Sequence, residues 1–154
     1  MFSKTNPGVY ATDFSKEALE IAKINVERLR LNDTVSLLHG SWFDALREHN
    51  GIKFAGIVSN PPYIPTNDIK KLQKEVKEYD PFIALNGGKD GLDAYKLIMP
   101  KLRNIIKKNG KIFFEIGKGQ ENFVSSKAMK HGLSTVEYKK DLSGVNRIVV
   151  FIIK

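Results

Sequence analysis

The chain has 154 residues, 42% of them hydrophobic and 27% charged, which is the length of one ordinary domain with apolar residues enough for a core. It has no cysteine, which excludes disulfides, thiolate chemistry and cysteine-ligated metal and fits a reducing compartment; no apolar run reaches membrane-spanning length and the N-terminus lacks the apolar core of a signal peptide, so the expectation is a soluble cytoplasmic protein. The formal net charge of +8 is compatible with an anionic partner, such as RNA or a ribosome-bound protein, and equally with a surface of solvated lysines.

In chain order, Gly8 to Asp13 reads as a short strand ending in an acid. Ser15 caps the helix that follows, with Glu17 near its positive end. Leu19, Ala22, Val26 and Leu29 recur at spacings of three and four and give that helix one apolar face, and Asn32-Asp33 ends it. Val35 to His39 is the second strand, followed by a loop, Gly40-Ser41-Trp42-Phe43-Asp44, that leads into a short helix. Phe54 to Ser59 is the third strand, apolar without alternation as a buried parallel strand is.

Thr66 to Tyr79 is polar and predicts a helix with a solvated face, and Asp80 to Gly91 is irregular, with Gly87, Gly88 and Gly91 as punctuation. Ala94 to Lys108 predicts a helix with Leu97, Ile98, Leu102, Ile105 and Ile106 inward and a kink or late start at Pro100. Lys111 to Glu115 is the fourth strand and Gln120 to His131 a helix. Thr135 to Lys139 and Arg147 to Ile153 are the closing strands. Strands alternate with helices, so the expected class is α/β with a mainly parallel sheet. The short connection before Arg147 predicts an antiparallel last strand.

The stretch with most chemical content is Asn60-Pro61-Pro62-Tyr63, directly after the third strand. The prolines have no N–H and stop any ladder or helix, and Pro61 biases Asn60 toward extended backbone. The result is a stiff turn at the carboxyl end of a strand, where open α/β sheets bind ligands. The Asn60 side-chain carbonyl and the Asn60 and Pro61 backbone carbonyls are acceptors. They suit a planar NH2 group, which presents two donors, and Tyr63 adds a flat apolar face. Such a turn would hold an amide or aromatic amine by its nitrogen and leave that nitrogen open to an electrophile. The alternative is a proline-rich turn without chemistry.

Asp13, just past its strand, is placed to receive two ribose hydroxyls, as in dinucleotide folds, or is simply an acid at a helix start. Trp42-Phe43 forms either a slot for a purine ring or part of the core. His39, His49 and His131 have no metal-ligand spacing and read as structural. Gly117-Lys118-Gly119 follows a strand and opens a helix, but the third glycine of a phosphate loop would fall at Asn122, so it reads as a turn.

In this order the pieces resemble the class I methyltransferases that use S-adenosylmethionine, and more narrowly the release factor glutamine methyltransferases of the HemK/PrmC type. The resemblance runs from about Val9 to the end. Its residues are Ala11 to Ser15 with Ala18-Leu19, then Ser41-Trp42-Phe43, then Val58 to Ile64. Asp80-Pro81, Ala84-Leu85 and Gly88 to Leu92 follow, and Glu115-Ile116-Gly117 with Gln120 and Asp141 to Gly144 with Arg147 complete it. The Asn-Pro-Pro-Tyr motif is shared with methyltransferases acting on adenine; the tract from Asp80 to Leu92 narrows it to the glutamine enzymes.

The resemblance implies that Asp13 binds the cofactor ribose and that Trp42, with Phe43, lies against the adenine. It implies that Asn60 and the Pro61 carbonyl hold the substrate amide, with Pro62 and Tyr63 beside it and Asn60 also facing the cofactor. The implied substrate is the glutamine of the Gly-Gly-Gln loop of peptide chain release factors; nucleic acid is not expected as substrate, and no membrane partner is expected.

Two departures accompany it. Asp80 stands where the family usually has glutamate before the proline. The glycine-rich cofactor loop, expected roughly 20 residues before the ribose acid, would fall before Met1, with its strand and the N-terminal helical domain. The expectation is therefore one methyltransferase domain, 1–154, truncated at its N-terminus and lacking the first, central strand, so that the strands ending at Asp13 and Ser59 each lose a partner. Two further readings stand beside the enzyme: an inactive fragment acting as an interaction module, and an amine methyltransferase acting on nucleic acid.

Overall fold

The computed structural model describes residues 8–49, 51–74 and 80–153. The chain divides into two compact units, Met1–Gly51 and Ile52–Lys154.

In the first unit β1 (Val9–Asp13) runs parallel to β2 (Val35–His39), in a register from Val9 opposite Val35 to Asp13 opposite His39. The crossover between them is α1 (Lys16–Arg28). Ser15 caps it as expected: its hydroxyl oxygen accepts from the Ala18 N–H at 3.0 Å, while the hydroxyl donates to Glu17 at 2.7 Å. That hydrogen bond, first among several causes, holds the Glu17 carboxyl below its usual range.

The helix ends at Arg28, not at Asn32-Asp33. Arg30 takes a left-handed backbone (φ 55°), its N–H bonds to the Glu27 carbonyl, and the Leu31 N–H bonds to that of Val26. This is a Schellman stop with arginine where glycine is usual, so the customary sequence signal is missing. Leu19, Ala22 and Val26 are half-buried or nearly so, but Leu29, beyond the last turn, is 65% exposed. Trp42 and Phe43 are not in a loop: they open a 3-10 helix, Trp42–His49, which Trp42 enters with φ 48°.

The second unit contains β3 (Phe54–Ser59), the single turns α2 (Thr66–Ile69) and α3 (Phe82–Leu85), α4 (Asp93–Leu102), β4 (Ile106–Glu115), α5 (Glu121–Lys130), β5 (Leu133–Lys140) and β6 (Asn146–Ile153). The sheet order is β3-β4-β6-β5, with β3 parallel to β4 and β6 antiparallel to both its neighbours. The architecture is thus α/β, with the last strand running against the rest, as the short final connection predicted.

Its core is the face of β4 and β6 carrying Ile112, Phe114, Val149 and Phe151, covered by Ile98 and Leu102 of α4 and Val124 and Ala128 of α5. Phe114 packs edge-on against Tyr95 and Phe151, with ring centroids 5.8 and 6.2 Å apart.

Three expectations change here. Of the helix expected over Thr66 to Tyr79, Thr66–Ile69 forms one turn with Ile69 buried, residues 70–73 leave the helix and Lys74 is again helical; residues 75–79 lie outside the described residues. The helix expected to reach Lys108 runs through Pro100 and stops at Leu102, because Ile106 pairs with Phe54 of β3. Ile106 therefore opens β4, which bulges at Asn109 (φ 62°) before pairing regularly with β3 from Lys111. Leu97 is 61% exposed, because the buried stripe of α4 is Ala94, Tyr95, Ile98, Met99 and Leu102.

Among the described residues β1 pairs with β2 alone and β3 with β4 alone, so each of these strands leaves one edge unpaired there. Ala55, Gly56 and Val58 of β3 are exposed, Val58 at 83%, although their sequence reads as an interior strand.

Candidate active site

β3 delivers Asn60 to Tyr63 at its carboxyl end. Asn60 is exposed, Pro61 is buried, and Pro62 and Tyr63 are half-buried. A second segment closes on this turn. The Ile64 N–H bonds to the Leu85 carbonyl at 3.1 Å and the Gly87 N–H to the Ile64 carbonyl at 2.9 Å, a parallel bridge between Ile64 and Asn86. Thr66 extends the contact, its N–H to the Gly88 carbonyl at 2.9 Å and its hydroxyl to Asn86 Oδ1 at 2.7 Å.

Two glycines make this approach possible. A Cβ on buried Gly87 would lie 2.8 Å from the Pro62 carbonyl oxygen and from the Gly91 backbone. A Cβ on buried Gly91, itself at φ +74°, would collide with the Tyr63 carbonyl. The tract that looked like loop punctuation is a wall of the site.

Between the two segments lies a cavity of about 260 Å³, lined by residues 60–64 with Asp80, Ala84 and Leu85. That is below the usual range for whole small-molecule ligands and matches a single side chain entering. The four turn residues singled out from sequence thus share one cavity wall.

Tyr63 is held at both ends. Its hydroxyl donates to Glu115 Oε1 at 2.9 Å, at the end of β4, and its carbonyl accepts from Gln120 Nε2 at 2.9 Å. Gln120 Nε2 also donates to the Gly91 carbonyl at 3.3 Å, and Gln120 Oε1 accepts from the Gly117 N–H at 2.9 Å. The Glu115 carbonyl accepts from the hydroxyl of buried Tyr95 at 2.6 Å. Burial first, then the hydrogen bond to Glu115, raises Tyr63 above the ordinary tyrosine value, so it stays a neutral donor and is no base at neutral pH. The Gly117-Lys118-Gly119 turn spends its first N–H on Gln120, which agrees with a turn and not a phosphate cradle.

The residues read as nucleoside-binding lie in the first unit, at the carboxyl ends of its two strands. Asp13 is exposed; its Oδ1 accepts from the Ser15 N–H at 2.8 Å, and its backbone carbonyl accepts from the Gly40 N–H at 2.9 Å. Trp42 and Phe43 follow β2 at the same end and are half-buried. A strand-end carboxylate and an indole on one edge of a parallel pair fit the ribose and purine of a nucleoside. Two of the three histidines have local partners: His39 Nε2 donates to the Phe14 carbonyl at 3.0 Å, and His49 packs edge-on against Tyr10. Among the described residues no cluster of His, Asp and Glu could hold a metal ion.

Sequence reasoning assigned no role to Glu115, Gln120, Tyr95, Gly87 and Gly91. Glu115 and Gln120 were visible only as motif letters, since nothing local ties them to a turn more than fifty residues earlier.

No family model matches the chain. A release factor glutamine methyltransferase from Clostridium acetobutylicum is 39% identical over 142 residues, 92% of this chain and 50% of that protein. A bifunctional methyltransferase from Rickettsia felis is 38% identical over 146 residues, 95% of this chain and 27% of that protein. Among solved structures, a methyltransferase from Pyrococcus furiosus superposes with a TM-score of 0.63 over 93% of this chain and 61% of that one, at 20% identity, a likeness of fold. The chain spans half or less of the length of these curated relatives. In sequence it is a homologue of the C-terminal part of the release factor glutamine methyltransferases, and in architecture it has the class I methyltransferase fold.

Proposed function

We propose that this chain is the C-terminal part of one methyltransferase domain. The reaction is transfer of a methyl group to the side-chain amide nitrogen of a glutamine in a peptide chain release factor. The observation that carries this reading is the cavity at Asn60 to Ile64, of side-chain size and bounded by the Asp80–Leu85 tract. Among the described residues no hydrogen bond engages the Asn60 side chain or the Pro61 carbonyl, so both are available as acceptors.

An amide nitrogen is a poor nucleophile because its lone pair is delocalised into the carbonyl. Asn60 and the Pro61 carbonyl take the two N–H donors of the substrate amide and weaken that delocalisation by holding the group in one orientation. Pro61 and Pro62 fix the direction of both acceptors, and Tyr63 lies against the amide. Asp13 would accept the ribose hydroxyls of S-adenosylmethionine, and Trp42 with Phe43 would lie against its adenine. When bound, the cofactor supplies an electrophilic methyl on sulfur. The nitrogen would gain the methyl as the sulfur–methyl bond breaks, the sulfur leaving as a neutral thioether, and would lose its proton to water, so no strong base is required of the protein.

The test, with the upstream glycine-rich cofactor segment supplied, is labelled methyl transfer to a release factor presenting Gly-Gly-Gln, with Gly-Gly-Glu as the inert control. Asn60→Ala should lower the rate about 10²-fold, about 3 kcal/mol of transition-state stabilisation, with little change in melting temperature. Preferential labelling of adenine in DNA would overturn the reading in favour of a nucleic-acid amine. Labelling of neither would favour an interaction module.

A further inference from the structure

We propose that Glu115 and Gln120 are positioning residues of the acceptor cavity, acting through Tyr63. The inference rests on the proposed amide-binding role of the turn and adds the elements that aim it.

Four segments converge on Tyr63. Its hydroxyl is tied to Glu115 at the end of β4, and its carbonyl to Gln120 at the start of α5. Through the same amide, Gln120 draws in the Gly91 carbonyl of the 80–92 tract and the Gly117 N–H. The side chain uses both of its donors and its acceptor on three different segments, a set that a carboxylate cannot reproduce because it has no donor. Gln120 occupies the N-cap position of α5 yet makes no side-chain bond to its own helix. Its polar capacity is spent on the turn, where capping would have been the ordinary use.

Glu115 is braced in turn: its carbonyl accepts from Tyr95, which is buried in the core. A continuous path therefore runs from the core through Glu115 to the Tyr63 ring. Pro61 and Pro62 make the turn stiff, so a displacement of Tyr63 moves the Asn60 and Pro61 acceptors with it. Misplacing an acceptor by about an ångström is enough to cost a large part of the orientation effect.

The experiment uses the full chain with 13C-labelled tyrosine and the peptide acetyl-Gly-Gly-Gln-amide as probe. Gln120→Glu should shift the Tyr63 ring resonance and weaken peptide binding about tenfold, with a melting temperature within a few degrees of the unsubstituted chain. Glu115→Leu should do the same, whereas Glu115→Gln, which keeps the acceptor, should restore affinity while lowering the pH at which Tyr63 ionises. If Gln120→Glu fails to fold, Gln120→Met removes the donors at similar volume and carries the same expectation. An unmoved Tyr63 resonance in these variants, or lower melting temperatures with unchanged affinity per folded molecule, would overturn the proposal. Should the unsubstituted chain bind no peptide at all, the amide reading fails, and the Tyr63 resonance still decides whether these two residues set the turn.

Discussion

The two units differ most in what they bury. Every buried apolar side chain among the described residues, from Ile69 to Ile153, belongs to Ile52–Lys154. In Met1–Gly51 no described residue is buried, and Val9, Phe14, Ile21, Ile24 and Leu29 are each about half exposed or more. Two strands and one helix have too few layers to exclude water from a face, whereas four strands flanked by α4 and α5 do so readily. The Asn60–Tyr63 turn, proposed to hold the substrate amide, is mounted on the well-packed unit; the residues read as nucleoside-binding stand on the poorly packed one. Geometry is thus built in firmly where an acceptor must be aimed, and weakly where Asp13 and Trp42 stand.

The sharpest way to break this contrast is a pair of truncations. Phe114→Ala empties the centre of the β4–β6 core and should cost about 3–5 kcal/mol in denaturant unfolding. Leu38→Ala, on half-buried β2, should cost about 1 kcal/mol. Similar losses at both positions would mean the first unit is as well packed as the second.

Next in size is Gly91→Ala, about 3 kcal/mol, because the new Cβ meets both an unfavourable φ of +74° and the Tyr63 carbonyl. It should also abolish binding at the Asn60 cavity, measured with the same tripeptide amide. A variant that folds and binds normally would show that the 80–92 tract need not approach the turn so closely.

Tyr63 and Tyr95 of the second unit give a pH dependence on the alkaline side. Burial raises Tyr95 strongly, with smaller contributions from Tyr63 and Glu115, and burial with the Glu115 hydrogen bond raises Tyr63. Both keep their protons in the fold at a pH where the unfolded chain loses them. Their stabilisation is therefore complete below about pH 10, the ordinary tyrosine value, and is lost as pH rises through the elevated folded values. Melting temperatures between pH 9 and 11 read this directly, and Tyr95→Phe should flatten the decline.

The smallest expected effect lies in the first unit. Ser15→Ala removes the cap of α1 and should cost about 1 kcal/mol of local helix stability. Hydrogen exchange at α1 should rise while exchange in β4 and β6 stays unchanged.

How much of this was legible in the letters varies by element. β2 and β3 have the predicted bounds, and the Ser15 cap and antiparallel β6 came from local signals: a run of apolar residues, a hydroxyl before a helix, a connection too short for a crossover. The helix ends were less legible. α1 stops on an arginine in a glycine's conformation, and α4 stops early because Ile106 is needed in the sheet.

The turn Asn60-Pro61-Pro62-Tyr63 needed no tertiary information, because proline stiffness and a strand's carboxyl end are local properties. By itself the sequence determined the element order, the stiff acceptor turn and the kinship with methyltransferases. The tertiary structure alone decided that Gly87 and Gly91 are contact glycines, that Leu97 faces water, and that Glu115 and Gln120 grip Tyr63 from 52 and 57 residues away. The physical reason is range: torsional preference acts over a few residues, while hydrogen bonds and close packing join whatever the sheet order brings together.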